Sequence, residues 1–441
     1  MSDRGLRLAM ISPEFPEPPT SGGKKRTLHL LGALTRMGSV DLITFSERPD
    51  AEPTSLLRSI CRRVQIVRLP AHSPRLLPFL RRNLRRILQG VPPLTDRFSE
   101  PPVREAVRRH LQQDVYEVIV LEHSWIAPYI PIVREVQPRA RIVLDCHNIE
   151  SDLWRQYYER PLKPWYKPAA YRFWRSAFEQ ERTYLPRADQ VWVVSEADAR
   201  RARALAPSAH LRVIPNGTTP CEAVGHAADP PIIGFLGSLL YPPNEHGLRL
   251  LLDRIWPTIR DAVPEVRLMI IGRPTPALLQ RARADERVLV LGEVEDITPY
   301  LRQWTLMVVP VLHGGGTRMK ILDAWAHGVA VVSTRKGAEG IGATHGEELW
   351  IADTPHEFAQ AVIYLLRNAA ERHRLARRGY ERAKQSYSWE IIAERVHEAI
   401  TSLLTADAVS SEIGAEGIPR TPADTPPAAD FDARGGEPIR G

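Results

Sequence analysis

Twelve short apolar runs, none longer than seven residues, alternate with helical patterns along the chain, and that alternation constrains its fold more than any other feature. The first half holds runs at 6–12, 40–45, 64–69, 118–122, 141–146 and 190–195, and the second half at 211–215, 231–237, 266–272, 288–292, 306–311 and 329–334. They are rich in Val, Ile and Leu and lack polar alternation, the pattern of parallel strands buried on both faces. Helical stretches between them imply right-handed β-α-β crossovers. At 441 residues the chain suits two cores of roughly 200 residues better than one. The expected fold class is α/β, with two doubly wound parallel-sheet domains facing a central cleft, and active groups belong just past the carboxyl ends of such strands. Asn216-Gly217, flanked by prolines in "VIPNGTTP" (213–220), reads as the turn between domains, which places them at 1–212 and 213–387. Residues 407–441 hold five Pro and five Gly with few apolar residues, and a disordered tail is expected there.

The stretch "LHGGGTRMKILDAWAHGVAVVST" (312–334) follows the strand at 306–311 and leads into a helix. Gly314, Gly315 and Gly316 let the backbone approach a ligand closely or adopt positive φ. The helix N-terminus beyond Thr317 then offers unpaired N–H groups and the positive end of a dipole. Arg318 and Lys320 add full charges there, at the helix end where cations are least favourable. One reading is a turn before a surface helix; the reading favoured by that charge mismatch is an anion cradle. The spacing does not match the P-loop pattern G-x-x-x-x-G-K-[ST], which excludes that kind of NTPase. Gly22 and Gly23, between the first strand and a helix, repeat the same logic in the first half. His147 and Asn148 in "VLDCHNIE", and His123 in "VLEHSW", lie just past buried strands. His147 is preferred over His123 as the group at a reacting centre, with Asn148 to orient it.

Three cysteines without C-x-x-C spacing argue against a disulfide framework or structural zinc. No apolar run approaches the roughly 18 residues of a membrane span, and the N-terminus reads as a strand and not a signal peptide. A cytoplasmic protein is expected. Residues 1–200 carry 32 Lys and Arg against 23 Asp and Glu. In "RLLPFLRRNLRRILQG" (75–90), Leu77, Leu80, Leu84 and Leu88 recur at helical spacing with Arg81, Arg82, Arg85 and Arg86 between them. Such a helix suits an anionic membrane surface or, equally, a core-facing position with a solvated arginine face. No aromatic-basic platform of the RNA-binding kind is present, and nucleic acid is not an expected partner.

Taken in order, "GG" before the first helix, "DCHNIE", "ADQVWVVSEAD", "VIPNG", "GFLGSLLYPPNEHG", "IIGRPTP" and "GGGTRMKILDAWAHGVAVVSTRKGAEGI" resemble a retaining glycosyltransferase of the GT-B fold, similar to family 4. The resemblance spans residues 6 to 400. It implies a nucleotide-sugar donor on the C-terminal domain, an acceptor on the N-terminal one, and a final helix over 388–406 crossing back to the N-terminal domain. It puts Gly22, Gly23, Gly237, Ser238, Gly314, Gly315, Gly316 and Thr317 around the donor, with His147 near the transferring sugar and His123 and Asn148 on the acceptor side. Members often carry two glutamates, the second gripping the ribose; here those positions hold Gly315 and Asp323. Many also carry an Arg and a Lys after the first C-terminal strand, where this chain has "GSLLYPPNEHG", so Arg318 and Lys320 are the natural replacements. Glu339 in "KGAEGI" is either a donor contact or a helix-capping or solvent-facing carboxylate.

The resemblance implies hexose transfer from a nucleotide diphosphate sugar to a saccharide or lipid-linked acceptor with retention, in cell-surface polysaccharide or glycolipid synthesis. No D-x-D pair stands in a strand-end loop, so no metal and no other cofactor is expected. The arginine stretch and the segment "PWYKPAAYRFWRSAF" (164–178) add an anionic membrane surface as an expected partner, with the protein peripheral on the inner face. The alternatives are a sugar-nucleotide epimerase of the same fold and a binding protein without turnover.

Overall fold

The structure is a computed structural model that describes residues 5–415 apart from 49, 71–74, 93–94, 161–163, 222–228 and 240, with side chains described up to 405. Two all-parallel sheets organise the chain up to Leu403. The first runs in the order β3-β2-β1-β4-β5-β6-β7 and the second in the order β10-β9-β8-β11-β12-β13. Both orders reverse direction beside their first strand, which creates a crevice at the carboxyl ends of the strands on either side. In the first sheet β1 (Leu6–Ser12) lies between β2 (Gly38–Ser46) and β4 (Val118–Glu122), with Leu8 opposite both Val40 and Val118. β3 (Arg63–Arg68), β5 (Arg141–Cys146) and β6 (Gln190–Val193) extend it. In the second, β8 (Ile232–Leu236) pairs with β9 (Arg267–Ile271) and with β11 (Leu306–Val309). β10 (Val288–Gly292) and β12 (Ala330–Ser333) flank these.

The lack of polar alternation in these runs has its expected cause. In the central strands residues of both parities are buried, as Leu8, Ala9, Met10 and Ile11 are, because helices pack on both faces of the sheet, while the edge strands β3 and β10 are mostly half-buried. Two differences from expectation concern the sheet edges. The run at 211–215 forms β7 (Leu211–Val213), which pairs with β6 and closes the first sheet instead of opening the second half. A thirteenth strand, β13 (Trp350–Ile351), joins β12; two residues give no periodicity to read. The last helix, Trp389–Ala415, includes the first nine residues of the stretch expected to be a tail, and 416–441 lie outside the described residues. Its start packs on the first domain: Trp389 stacks on His29 with centroids 4.0 Å apart, and Gln190 Nε2 donates to the Ala399 carbonyl. Gly217 lets Trp389 in, since a Cβ there would sit 2.6 Å from its ring.

Candidate active site

The first helix, Gly22–Thr35, begins where β1, β4 and β5 end, capped by the Ser21 hydroxyl accepting from Lys24 N. Its second turn carries Arg26 into the core, where Arg26 and Asp145 form a doubly hydrogen-bonded ion pair with both side chains fully buried. Arg26 also donates to the Pro215 carbonyl at 3.0 Å and to Asn216 Oδ1 at 3.2 Å, joining this helix to the turn between the sheets. Asp145 is the penultimate residue of β5, and Glu122 closes β4. Between them stands His147, whose Nε2 lies 3.1 Å from Glu122 Oε1 and 3.2 Å from Asp145 Oδ2. Neither contact is aligned for a straight hydrogen bond, and Nε2 and Glu122 Oε2 are left without one. The attraction is therefore chiefly ionic.

Burial works against charge on His147, but Asp145 and Glu122 outweigh it and hold the imidazolium up to about 9. Burial alone would raise Asp145, yet Arg26 and then His147 hold its carboxyl well below the usual carboxylate range. His123 is pushed the other way, by burial and by the positive His147, and stays neutral. It adopts φ +69°, a sparsely populated region for a non-glycine residue. Its N–H donates to the Asp145 carbonyl at 2.7 Å, and its ring lies between Trp125 and His147 with centroids 4.2 and 3.8 Å away. Nδ1 of His147 faces Gly23, where a Cβ would stand 3.5 Å from it, an ordinary contact. Glu14, beside Gly23, has its carboxyl raised by burial and by Glu122. Glu122, His123 and His147 could each give an atom to one metal ion, but ligation needs the neutral His147 ring and the two carboxylates favour the protonated one.

Facing this cluster is the glycine loop. Gly314 and Gly316 have φ of +115° and +70°. The loop presses on the first domain: a Cβ on Gly316 would lie 2.5 Å from Asn148 Oδ1 and 3.0 Å from the His147 carbonyl. Gly314 N donates to Gln156 Oε1 at 2.8 Å, and Thr317 Oγ1 to the Val194 carbonyl at 3.2 Å. The helix Met319–Ala326 follows with Arg318 at its cap position and no side chain capping it. Arg318 is buried; Nη1 donates to the Gly315 carbonyl, and Nε has no partner. Lys320 Nζ donates to Asn244 Oδ1 at 2.8 Å and lies 5.6 Å from the Phe235 ring centre. Gly237 leaves room for it, since a Cβ there would be 2.8 Å from Nζ. Neither Arg318 nor Lys320 has a carboxylate partner among the described residues. Burial, then the Arg318 charge, pushes Lys320 down to about 7.

Of the other expected donor residues, Gly22 packs on the glycine-loop helix, where a Cβ would sit 2.7 Å from Met319 Sδ. Ser238 gives its carbonyl to Asn244 Nδ2. Both carboxylates on the donor side are engaged between domains. Asp323 accepts from Thr218 Oγ1 at 3.0 Å and pairs with Lys25 at 3.4 Å. Glu339 pairs with Arg201, on the helix Glu196–Leu205, at 2.6 Å and with Lys336 at 2.5 Å. Sequence reasoning passed over Arg26, Glu122, Asp145 and Asn244. An acidic residue at or next to the carboxyl end of an apolar parallel strand was the available signal for Glu122 and Asp145, whereas nothing local marks Arg26 or Asn244.

Two family models match this chain and together span most of it: a glycosyl transferase 4-like domain over residues 21–217, and glycosyl transferases group 1 over residues 230–368. The two halves they match are the two halves of the cleft just described. The chain belongs to the group 1 glycosyltransferases of the GT-B fold, similar to family 4. Among its relatives is an uncharacterized 44.6 kDa protein in the cps region of Klebsiella pneumoniae, 21% identical over 86% of this chain and 96% of that protein. Another is the lipopolysaccharide core biosynthesis glycosyltransferase LpsE of Rhizobium meliloti, 27% identical over 46% of this chain and 62% of that one. The fold is similar to that of Anabaena HepE, solved in complex with UDP and glucose, with a TM-score of 0.65, 15% identity and coverage of 90% of this chain and all of that one.

Proposed function

We propose that this glycosyltransferase moves a hexose from a nucleotide diphosphate sugar to a saccharide or lipid-linked acceptor with retention and without a metal, in cell-surface polysaccharide or glycolipid synthesis. The observation that carries the reading is the pair Arg318 and Lys320, a buried and a half-buried cation at an uncapped helix N-terminus with no carboxylate partner among the described residues. A diphosphate supplies the missing anion, and its contact with Lys320 favours the charged ammonium. As the sugar–phosphate bond lengthens, charge grows on the departing phosphate, where two cations and the helix dipole stabilise it electrostatically. The protonated His147 has Nδ1–H free at Gly23, suited to donate to a hydroxyl of the transferring sugar. The departing phosphate takes the acceptor proton, so no carboxylate base is required. UDP bound to HepE and the polysaccharide-related relatives support a donor and acceptor of these classes. Turnover of UDP-hexoses in the presence of EDTA, with the anomer of the product read by NMR, tests the reading; inversion, or turnover only with added metal, would contradict it.

The helix Leu76–Gln89 bears on the acceptor. Its buried side is Arg86, which pairs with Asp96 at 2.7 Å, and its apolar residues face outward. Leu77 is 79% exposed and Leu84 58%, with Leu80 and Leu88 beside them. This arrangement is the opposite of a core-facing helix. The neighbouring helix Lys167–Tyr184 and the turn before it add exposed Tyr171 and Trp165. No described helix is long and apolar enough to cross a membrane. An apolar face rimmed by arginines fits the interface of an anionic bilayer, where a lipid-linked acceptor would be presented. Flotation with anionic vesicles at low salt should succeed for the native chain and fail for Leu77→Asp/Leu84→Asp; equal flotation of both sinks this part of the reading.

A further inference from the structure

A second polar cavity lies where the start of the last helix meets both domains. It is a groove of about 870 Å³, lined among others by Arg200, Arg212, Arg382, Arg395, Glu196 and Glu398. None of the residues of the His147 cluster or the glycine loop lines it. The four arginines come from four places. Arg200 lies on the helix Glu196–Leu205, Arg212 on β7, Arg382 on the helix Ala369–Ser386, and Arg395 on the last helix. None of the four pairs with a carboxylate among the described residues, and the two glutamates leave two positive charges in excess.

Their present contacts are weak. Arg382 Nη2 reaches the Gly342 carbonyl at 3.4 Å while its Nε is buried without a partner. Arg212 Nη2 reaches Ser402 Oγ at 3.4 Å. Arg382 and Arg395 both lie near the Tyr387 hydroxyl, so two like charges converge at one wall. Elsewhere on this chain exposed arginines are commonly paired, as Arg155 is with Asp152 and Glu159. Guanidinium groups gathered around a cavity suit an anion with several oxygens, which can accept from more than one of them at once. The Ser195-capped helix N-terminus on the same wall adds its dipole in the same sense.

We propose that this groove is a second anion site, binding a ligand with a pyrophosphate-type group that touches both domains and the last helix at once. Its occupancy would favour the arrangement in which the glycine loop meets Asn148, because Arg200 and Arg212 stand on one domain and Arg382 on the other.

Titration with inorganic pyrophosphate in the Arg318→Ala/Lys320→Ala background tests this independently of the donor site. The expected result is one saturable site that weakens about tenfold or more when Arg382→Ala/Arg395→Ala is added. Arg200→Ala/Arg212→Ala, both on the exposed rim, should weaken it as well and serves if the first pair does not fold. No binding in the background variant, or binding indifferent to both pairs, overturns the proposal. Flotation with phosphatidate vesicles separates the sources: loss in the groove variants points to a lipid head group, unchanged flotation to a free phosphate compound.

Discussion

Two charged regions face each other across the cleft, and they are built on opposite plans. On the first domain, Arg26, Asp145, Glu122 and His147 are close enough to neutralise one another inside the protein. On the second, the partners of Arg318 and Lys320 among the described residues are carbonyl and amide oxygens. The first region is balanced in charge without a ligand, and that balance holds the His147 ring in place. The second is left with unbalanced positive charge, and so defines where a ligand must bring negative charge. Charge balance, more than cavity shape, separates the scaffold of this site from its binding face.

The largest contrast should appear in stability. Arg26→Ala leaves the fully buried Asp145 without its hydrogen-bonded guanidinium and with only His147 beside it, and urea unfolding should show a loss of about 3–5 kcal/mol. Arg318→Ala removes a cation that has no counter-charge and should change stability by less than about 1 kcal/mol. Equal losses from the two substitutions would erase the distinction.

Nucleotide binding should reverse that order. Arg318→Ala and Lys320→Ala should each weaken nucleoside diphosphate binding by about tenfold or more, as expected for loss of a charged hydrogen bond. Isothermal titration measures this, and a diphosphate bound as tightly by the double variant would place it elsewhere.

The two regions should also respond to pH with opposite sign. His147 is raised from 6.5 to about 9, so its contribution to stability is full below pH 6.5 and lost as pH rises through about 9. Lys320 is lowered from 10.5 to about 7. The unfolded chain therefore holds that proton more tightly, and stability without ligand rises from pH 7 toward 10.5. His147→Gln should remove the alkaline fall and Lys320→Met the alkaline rise. Diphosphate affinity should decline above pH 7 as Lys320 loses its proton; affinity flat from pH 6 to 9 would contradict this.

A smaller effect tests the contact between the regions. Gly316→Ala meets both the αL penalty of about 1–2 kcal/mol and Asn148 at 2.5 Å. Gly292→Ala, at φ +76° with nothing within 4 Å, meets the conformational penalty alone. Thermal unfolding should rank Gly316→Ala as the more damaging, and equal ranking would mean the loop does not need its closeness to Asn148.

What the sequence allowed a reader to see follows from how local each signal is. Strands rich in Val, Ile and Leu announce themselves as apolar runs even at the half-buried sheet edges, so all but the two-residue β13 were legible, and the glycine loop stood out by its three successive glycines, two of which take positive φ. The Arg26–Asp145 pair was not legible, since its partners stand 119 residues apart and only the β1–β4–β5 order brings them together. The helix Leu76–Gln89 showed its amphipathic pattern at once, but which face turns inward was decided by Arg86 meeting Asp96, a contact that periodicity cannot reveal.

The most direct test of the account is a metal-free thermal-shift panel with UDP, GDP, ADP and dTDP on the native chain and on Arg318→Ala/Lys320→Ala. At 100 times its dissociation constant a ligand adds about 2.7 kcal/mol to stability, enough for a clear shift. At least one nucleotide should stabilise the native chain and leave the double variant unmoved. No shift with any nucleotide, or the same shift in both proteins, would mean that the unpaired cations of the glycine loop are not the diphosphate site.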